Sequence, residues 1–241
     1  MKPLLVVTCA VIASLYSPLA HSLPPVASGS PVQRIASEKL CVTNGVVSTL
    51  PDGRLTIETS SARAIVRIAT TQTAEIRFRY VGPSKGAKPL ASGELRRQIG
   101  LKLRAQDTCN LLYAMWHIEP NAKIAVSLKR NAGQHTHEEC GAGGYVNIRA
   151  RRSVEVPQIR PGEWHTLHAE LHGTALTIIA DGAVVWEGTV GNDLAQIDGP
   201  VGFRTDNVRV EFEYYAGSVD PDTPPNMRHA SGNRCLPSSG D

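Results

Sequence analysis

The chain has 241 residues, 41% of them hydrophobic and 20% charged, with a formal net charge of +3. That length and apolar share suit one large β-sandwich or two small domains around a substantial core. So small a net charge argues against a dedicated nucleic-acid binder, which concentrates its basic residues in a stripe.

Met1 and Lys2 make a short positive start, an apolar run follows from Pro3, and small residues flank His21 in Ala20-His21-Ser22. This is the pattern of a secretory signal peptide over residues 1–22, cleaved after Ser22. The apolar run is too short for a membrane anchor, Pro18 interrupts its end, and no other stretch is long and apolar enough to span a bilayer. The mature protein is therefore expected to be secreted or periplasmic, with no membrane span. Residues 23–37 are rich in Pro, Ser and Gly and read as a flexible lead-in without a core of its own. The folded domain is placed at 38–218, with 219–241 as a C-terminal tail held by Cys235.

Within the domain, short segments alternate apolar and polar residues. Leu55–Ile57 follows the Asp52-Gly53 turn signal, and Ala64–Ile68 is a further short strand. Glu75–Tyr80 puts Ile76, Phe78 and Tyr80 on one face and Glu75, Arg77 and Arg79 on the other, the period of a half-buried strand. After a Gly-, Pro- and Lys-bearing loop, Arg97–Arg104 turns Ile99, Leu101 and Leu103 inward and Gln98, Gly100, Lys102 and Arg104 outward. Leu111–Ile118 is apolar on both faces, like a central strand covered on two sides. Lys123–Arg130 alternates again, Asn131–Gly144 is a polar loop, and Tyr145–Ile148 is a short strand. Downstream, His165–Leu171, Leu176–Ala180 and Ala183–Trp186 precede Gly199–Phe203 and Val208–Tyr215. Asp181-Gly182 between two of these strands marks a tight hairpin, whose central residues both need positive φ. Many short strands with frequent turns and no helical periodicity predict an all-β, two-sheet antiparallel β-sandwich or jelly roll.

Removal of Cys9 with the signal leaves Cys41, Cys109, Cys140 and Cys235, which allow three pairings among which sequence alone does not choose. We expect Cys41 with Cys235, stapling the two ends of the domain, and Cys109 with Cys140, tying a strand start to the long loop. Disulfides agree with export into an oxidising compartment.

The ordered set Pro161-Gly162-Glu163-Trp164-His165, Leu176 to Gly182, Gly199-Pro200-Val201-Gly202-Phe203 and Val208 to Phe212 resembles the closing strands of concanavalin A-like lectin/glucanase domains. The likeness is nearest to laminin-G-like and 3-keto-disaccharide hydrolase-like members. It covers about the last quarter of the chain and implies a jelly roll rather than a particular activity. By the same resemblance a structural calcium near Asp198, Asp206 and Asn207 is possible. No other cofactor is expected.

Glycoside hydrolysis needs two carboxyl groups flanking the bond, and the Glu-x-Asp-x-x-Glu strand of laminarinase-type glucanases is missing here. Glu138 and Glu139 are adjacent, so in a strand they would face opposite ways. Glu211 and Glu213 share a face but read better as a solvated outer surface. Gly93 to Ile99 faintly resembles the Arg- and Gln-bearing strands of alginate-type lyases, although the Tyr-rich motif of those enzymes has no counterpart. Arg96, Gln98, Lys102 and Arg104 would line one face beside Tyr113 and His117, extended by Ser127 and Lys129. This is either an ordinary basic strand face or a cationic groove with an aromatic wall, suited to acidic glycans. Trp116, Trp164 and Trp186 read as packing residues more than as sugar platforms. His135, His137 and Glu138 form a metal-like cluster, better explained as a polar loop tip stapled through Cys140.

The sequence thus supports a secreted carbohydrate-binding or surface-recognition domain whose partner is a polysaccharide, with no nucleic acid. One alternative is a polysaccharide-active enzyme, a lyase more readily than a glycoside hydrolase, using Tyr113 or His117 as proton carrier beside Arg96 and Gln98. The other is a structural or protein-interaction module of the cell envelope.

Overall fold

A computed structural model of the chain describes residues 31–219 and Cys235. The signal peptide expected over residues 1–22, the lead-in up to residue 30 and all of the expected tail beyond 219 except Cys235 lie outside the described residues. In chain order the first strands are β1 (Val32–Arg34), β2 (Leu40–Asn44), β3 (Ser48–Thr49), β4 (Leu55–Ile57), β5 (Ser61–Val66) and β6 (Thr73–Pro83). Next come β7 (Arg97–Leu103), β8 (Leu111–Glu119), β9 (Lys123–Lys129), a four-residue helix α1 (His137–Cys140), β10 (Tyr145–Asn147) and β11 (Arg152–Ser153). The chain closes with β12 (Trp164–His172), β13 (Ala175–Ala180), β14 (Ala183–Thr189), β15 (Gly202–Asp206) and β16 (Val208–Gly217).

These strands build the expected antiparallel β-sandwich. One sheet runs β11-β14-β13-β12-β6-β16-β4-β3, with β1 added on β16, and the other runs β10-β9-β8-β7-β15-β5-β2. The alternation that reads as half-buried strands is what feeds the core. Ile76, Phe78 and Tyr80 from β6 meet Ile99, Leu101 and Leu103 from β7 and Leu112, Ala114, Trp116 and Ile118 from β8. Phe78 meets Trp116 edge to face at 5.9 Å between ring centroids, and Phe203 of β15 meets Phe212 of β16 at 5.1 Å. Such aromatic pairs add about 0.5–1.5 kcal/mol each beyond the area they bury. The β13–β14 hairpin turns at Asp181 and Gly182 with φ of 49° and 81°, as its Asp-Gly sequence demands.

Both disulfides pair as expected. Cys41 of β2 is bonded to Cys235, and Cys109, just before β8, is bonded to Cys140 at the end of α1. Among the described residues, no helix is long and apolar enough to cross a membrane.

The lead-in needs correction over its last residues. Val32–Arg34 pairs with Gly217–Tyr215 of β16, and Ile35 is buried in the core at 2% exposure. A short edge strand gains its place from backbone pairing to a long neighbour and one apolar anchor, and neither shows in a Pro- and Ser-rich composition. The folded unit therefore begins before residue 38.

Ladder register fixes what lies on the outer face of the β10-to-β2 sheet. Gln98, Gly100 and Lys102 of β7 stand opposite His117, Met115 and Tyr113 of β8, and opposite Asp206, Arg204 and Gly202 of β15. Across β8, β9 places Lys123, Ala125 and Ser127 beside His117, Met115 and Tyr113. On the other side Arg63 of β5 stands beside Arg204.

Candidate functional site

Two adjoining cavities open on that face. The first, of about 560 Å³, has Arg63, Lys102, Tyr113 and Arg204 among its lining residues. The second, of about 700 Å³, is lined by Arg96, Gln98, Met115, His117, Lys123 and Ser127. Leu90, Ala91, Tyr113, Ala142, Tyr145 and Arg204 belong to both, so the two form one groove along the sheet.

Each wall is fastened to the sheet by buried polar groups. Asn207 holds the loop between β6 and β7: its side-chain amide donates to the carbonyls of Lys88 and Arg96, and its oxygen accepts from the Lys88 N–H. The opposite wall follows α1. Lys129 reaches up from β9 and donates to the carbonyls of Gly141 at 2.8 Å and Thr108 at 3.1 Å. The Cys109–Cys140 bond and a Thr136–Glu139 capping box complete that wall.

The floor carries a concentrated positive charge. Asp206, 2% exposed, accepts from Arg204 Nε at 2.7 Å, from Arg204 Nη2 at 3.2 Å and from Gln98 Nε2 at 2.6 Å. This bidentate grip fixes the guanidinium plane. It leaves Nη1 beside the Tyr145 hydroxyl at 3.4 Å, with the guanidinium carbon 5.3 Å from the centre of the Tyr113 ring. Tyr113 and Tyr145 stack with centroids 6.1 Å apart. Burial raises the Asp206 carboxyl, but Arg204 and the Gln98 hydrogen bond outweigh it and hold the group below the usual carboxylate range.

Lys102 is the least compensated of these charges. It is 3% exposed, and among the described residues its ammonium has no hydrogen-bond acceptor. Burial first, then Arg63 and Arg204, push it down to about 7, against a weak opposing pull from Asp107. Its ladder neighbour on β15 is Gly202, and that of Arg204 on β7 is Gly100. In the second cavity His117 is pushed down to about 4 by burial, then by Arg96 and Lys123, and is neutral at physiological pH.

The structure gathers Arg96, Gln98, Lys102, Tyr113, His117 and Ser127 around the groove, as the strand alternation implies. They form a largely enclosed floor rather than an open basic surface. Lys129 also borders the first cavity, but its ammonium serves the wall. Arg104 departs from the expectation. It ends β7 with φ of 45°, which turns its side chain to the carbonyls of Leu194 and Ile197, away from the groove.

His135 binds Asp107 at 2.8 Å instead of converging with His137 and Glu138, and among the described residues no group of three or more His, Cys, Asp and Glu could hold a metal ion. Asp206 directs its oxygens to Arg204 and Gln98, and Asn207 accepts from the Lys88 N–H. Glu211 pairs with Arg54 and Arg79, and Glu213 with Arg34, on the other sheet. Trp116 and Trp186 are core residues, whereas Trp164 is 48% exposed under the Arg54 guanidinium.

Sequence reasoning missed Arg63, Arg204 and Tyr145. A signal was present: Arg63 sits between Ala62 and Ala64, and Arg204 shares its parity with Asp206. A cation inside a strand that is otherwise small or apolar, two residues from a carboxylate, marks a buried ion pair.

No family model matches the chain, and no curated protein matches it in sequence. Solved structures do. A carbohydrate-binding module from Bacillus subtilis aligns with a TM-score of 0.51 and 14% identity, over 72% of this chain and 91% of that one. The carbohydrate recognition domain of Emp46p aligns with a TM-score of 0.46 and 13% identity, over 76% and 90%. Domain 4 of AbnA, an extracellular arabinanase from Geobacillus stearothermophilus, aligns with a TM-score of 0.40 and 11% identity, over 78% and 87%. At these identities the likeness to the Bacillus subtilis module bears on the sandwich fold.

Proposed function

We propose that the protein is a secreted polysaccharide-binding domain that takes an acidic glycan into this groove. The observation that carries the reading is the buried Lys102 ammonium, which has no acceptor among the described residues and opens on a cavity it shares with Arg63 and Arg204. A buried charge is strongly disfavoured unless it meets a counter-charge. A carboxylate-bearing sugar supplies one, in a cavity that Tyr113 and Tyr145 also line. The groove continues into the second cavity, where Gln98, Met115, His117 and Ser127 lie with the cations Arg96 and Lys123, which suits neighbouring sugar units of an acidic polymer. Support of a coarser kind comes from the sandwich itself, since the Bacillus subtilis neighbour is by name a carbohydrate-binding module. The two disulfides fit an extracellular or periplasmic setting.

The test is affinity electrophoresis of the mature protein through gels containing polygalacturonate, alginate, polyglucuronate or neutral glucans. We expect retardation by a polyuronate that persists at moderate salt, no retardation by neutral glucans, and its loss in Lys102→Met. Equal retardation in neutral and acidic gels, or none in any gel, would overturn the proposal.

A further inference from the structure

We propose that the groove also cleaves its polyuronate by β-elimination, with Lys102 as the base, Arg63 and Arg204 on the uronate carboxylate, and Tyr145 as the acid. The inference rests on the binding reading above and adds chemistry to it. Elimination next to a carboxylate needs three groups at one place: cations that neutralise the acid, a base for the adjacent C–H, and a proton donor for the departing oxygen.

The floor of the first cavity brings all three together on neighbouring strands. Arg204 is locked by Asp206 with Nη1 toward the cavity, and Arg63 stands beside it on β5. Lys102 faces the same space from β7, directly opposite Tyr113 on β8. The Tyr145 hydroxyl lies 3.4 Å from Arg204 Nη1, close to where a carboxylate held by that guanidinium would sit. The α-carbon of the acid is one bond from that carboxylate and the leaving oxygen two bonds further, within the cavity that Lys102 and Tyr145 both line.

Charge placement suits the roles. Burial, Arg63 and Arg204 hold Lys102 near 7, so its neutral amine is well populated at physiological pH, which an ordinary lysine does not achieve. Desolvation and then Tyr113 push the Tyr145 phenol up to about 12, so it keeps the proton it must give. His117, down at about 4, is a weak base and borders the neighbouring cavity.

The step balances without a co-reactant. Lys102 Nζ takes the proton from C5 of the uronate. The C–H electron pair forms the C4=C5 double bond, the C4–O4 bond breaks, and O4 takes the Tyr145 proton. The Lys102 ammonium then returns its proton to the Tyr145 phenolate through solvent. The products are one new reducing end and one unsaturated uronate end, and no water is consumed.

The experiment incubates the mature protein with each polyuronate from the gel series. It records the far-ultraviolet absorbance of the unsaturated end and the product masses. The charged groups facing Lys102 are Arg63, Arg204 and Asp107, with Tyr113 and Tyr145 alongside. With those in place we expect unsaturated product from the retarded polymer, at a rate that climbs as pH rises through about 7. In Lys102→Arg turnover should fall about a hundred-fold or more, far out of proportion to any change in retardation, because the variant preserves charge and abolishes the neutral base. Tyr145→Phe, on the exposed strand β10, gives the same split if Lys102→Arg does not fold. A polymer retarded by the native protein yet yielding no unsaturated ends across that pH range overturns the elimination and leaves the binding reading standing. Hydrolytic products, or native turnover in Lys102→Arg, overturn it too. Absence of retardation by every polymer sinks both readings together.

Discussion

Replacing Lys102 with methionine isolates the cost of the uncompensated charge. The side chain is 3% exposed and has no acceptor among the described residues, and burial, with Arg63 and Arg204, lowers its proton affinity from an ordinary 10.5 to about 7. At about 1.4 kcal/mol for each tenfold change in proton affinity, that drop corresponds to about 5 kcal/mol, an upper bound because relaxation and water entry reduce it. The sign follows from proton counting. Between about 7 and 10.5 the unfolded chain holds a proton on this lysine that the folded chain has released, so stability rises with pH across that window. Below about 7 the penalty is present in full. Methionine keeps the length of the stem and removes the charge, so the variant should be more stable than the native protein by a few kcal/mol below pH 7, and the gain should vanish toward pH 10.5. Urea denaturation midpoints measured below, within and above the window check this, and the same variant should lose retardation in acidic gels. A variant less stable than the native protein at low pH, or a gain that ignores pH, would refute the idea that Lys102 is held without a partner. The site would then have no reason to attract an anion.

Two further outcomes follow from the scaffold. Converting Cys109 and Cys140 together to alanine opens a loop closed across 31 residues and should cost about 3–4 kcal/mol in urea denaturation. It should also weaken gel retardation, because Ala142 in the groove wall and Gly141, the acceptor for Lys129, follow directly on Cys140. On the other sheet, His168 lies between Glu75 and Glu170, each 3.0 Å from a ring nitrogen, and Glu170 also reaches His172 at 3.5 Å. Burial lowers its proton affinity, but the hydrogen bonds and charges of the two carboxylates together raise it above 6.5. This stabilisation is complete below pH 6.5 and is lost as pH rises through the folded value. His168→Gln should flatten that part of the urea-midpoint profile, and a profile unchanged in the variant would place the pH dependence elsewhere.

Period-two alternation made the sandwich legible because it is a local consequence of burying one face of a strand. It placed β6 to β9 and β12 to β16 to within a few residues, and the Asp181-Gly182 turn fixed one hairpin. It missed the first three strands, which span only two to five residues each, and the first of them, Val32–Arg34, pairs with β16, nearly the whole domain away in sequence. It also missed α1, a single turn stabilised by its capping box and by a disulfide rather than by an apolar stripe. The groove was half legible. Gln98, Lys102, Tyr113, His117 and Ser127 follow from two strands adjacent in sequence and the next one on. Arg63 and Arg204 belong to β5 and β15, which reach the same floor only through the crossover order of the sheet.

Lys102 and Lys129 show why alternation stops short of function. Both point from the same sheet face, both are 2–3% exposed, and both border the first cavity. Lys129 meets the carbonyls of Thr108 and Gly141, placed there by the chain leading into β8 and by the end of α1, so its charge closes a wall. Lys102 has Gly202 beside it on one ladder, Tyr113 on the other, and two arginines in reach whose effect exceeds that of the single carboxylate, Asp107. Identical residue types with identical parity thus take opposite roles according to which backbone carbonyls arrive from elsewhere in the chain. An ammonium supplied with acceptors is part of the scaffold. One buried among cations makes the folded state costlier than it need be, and that cost has a physical purpose only if an anion enters the groove to offset it.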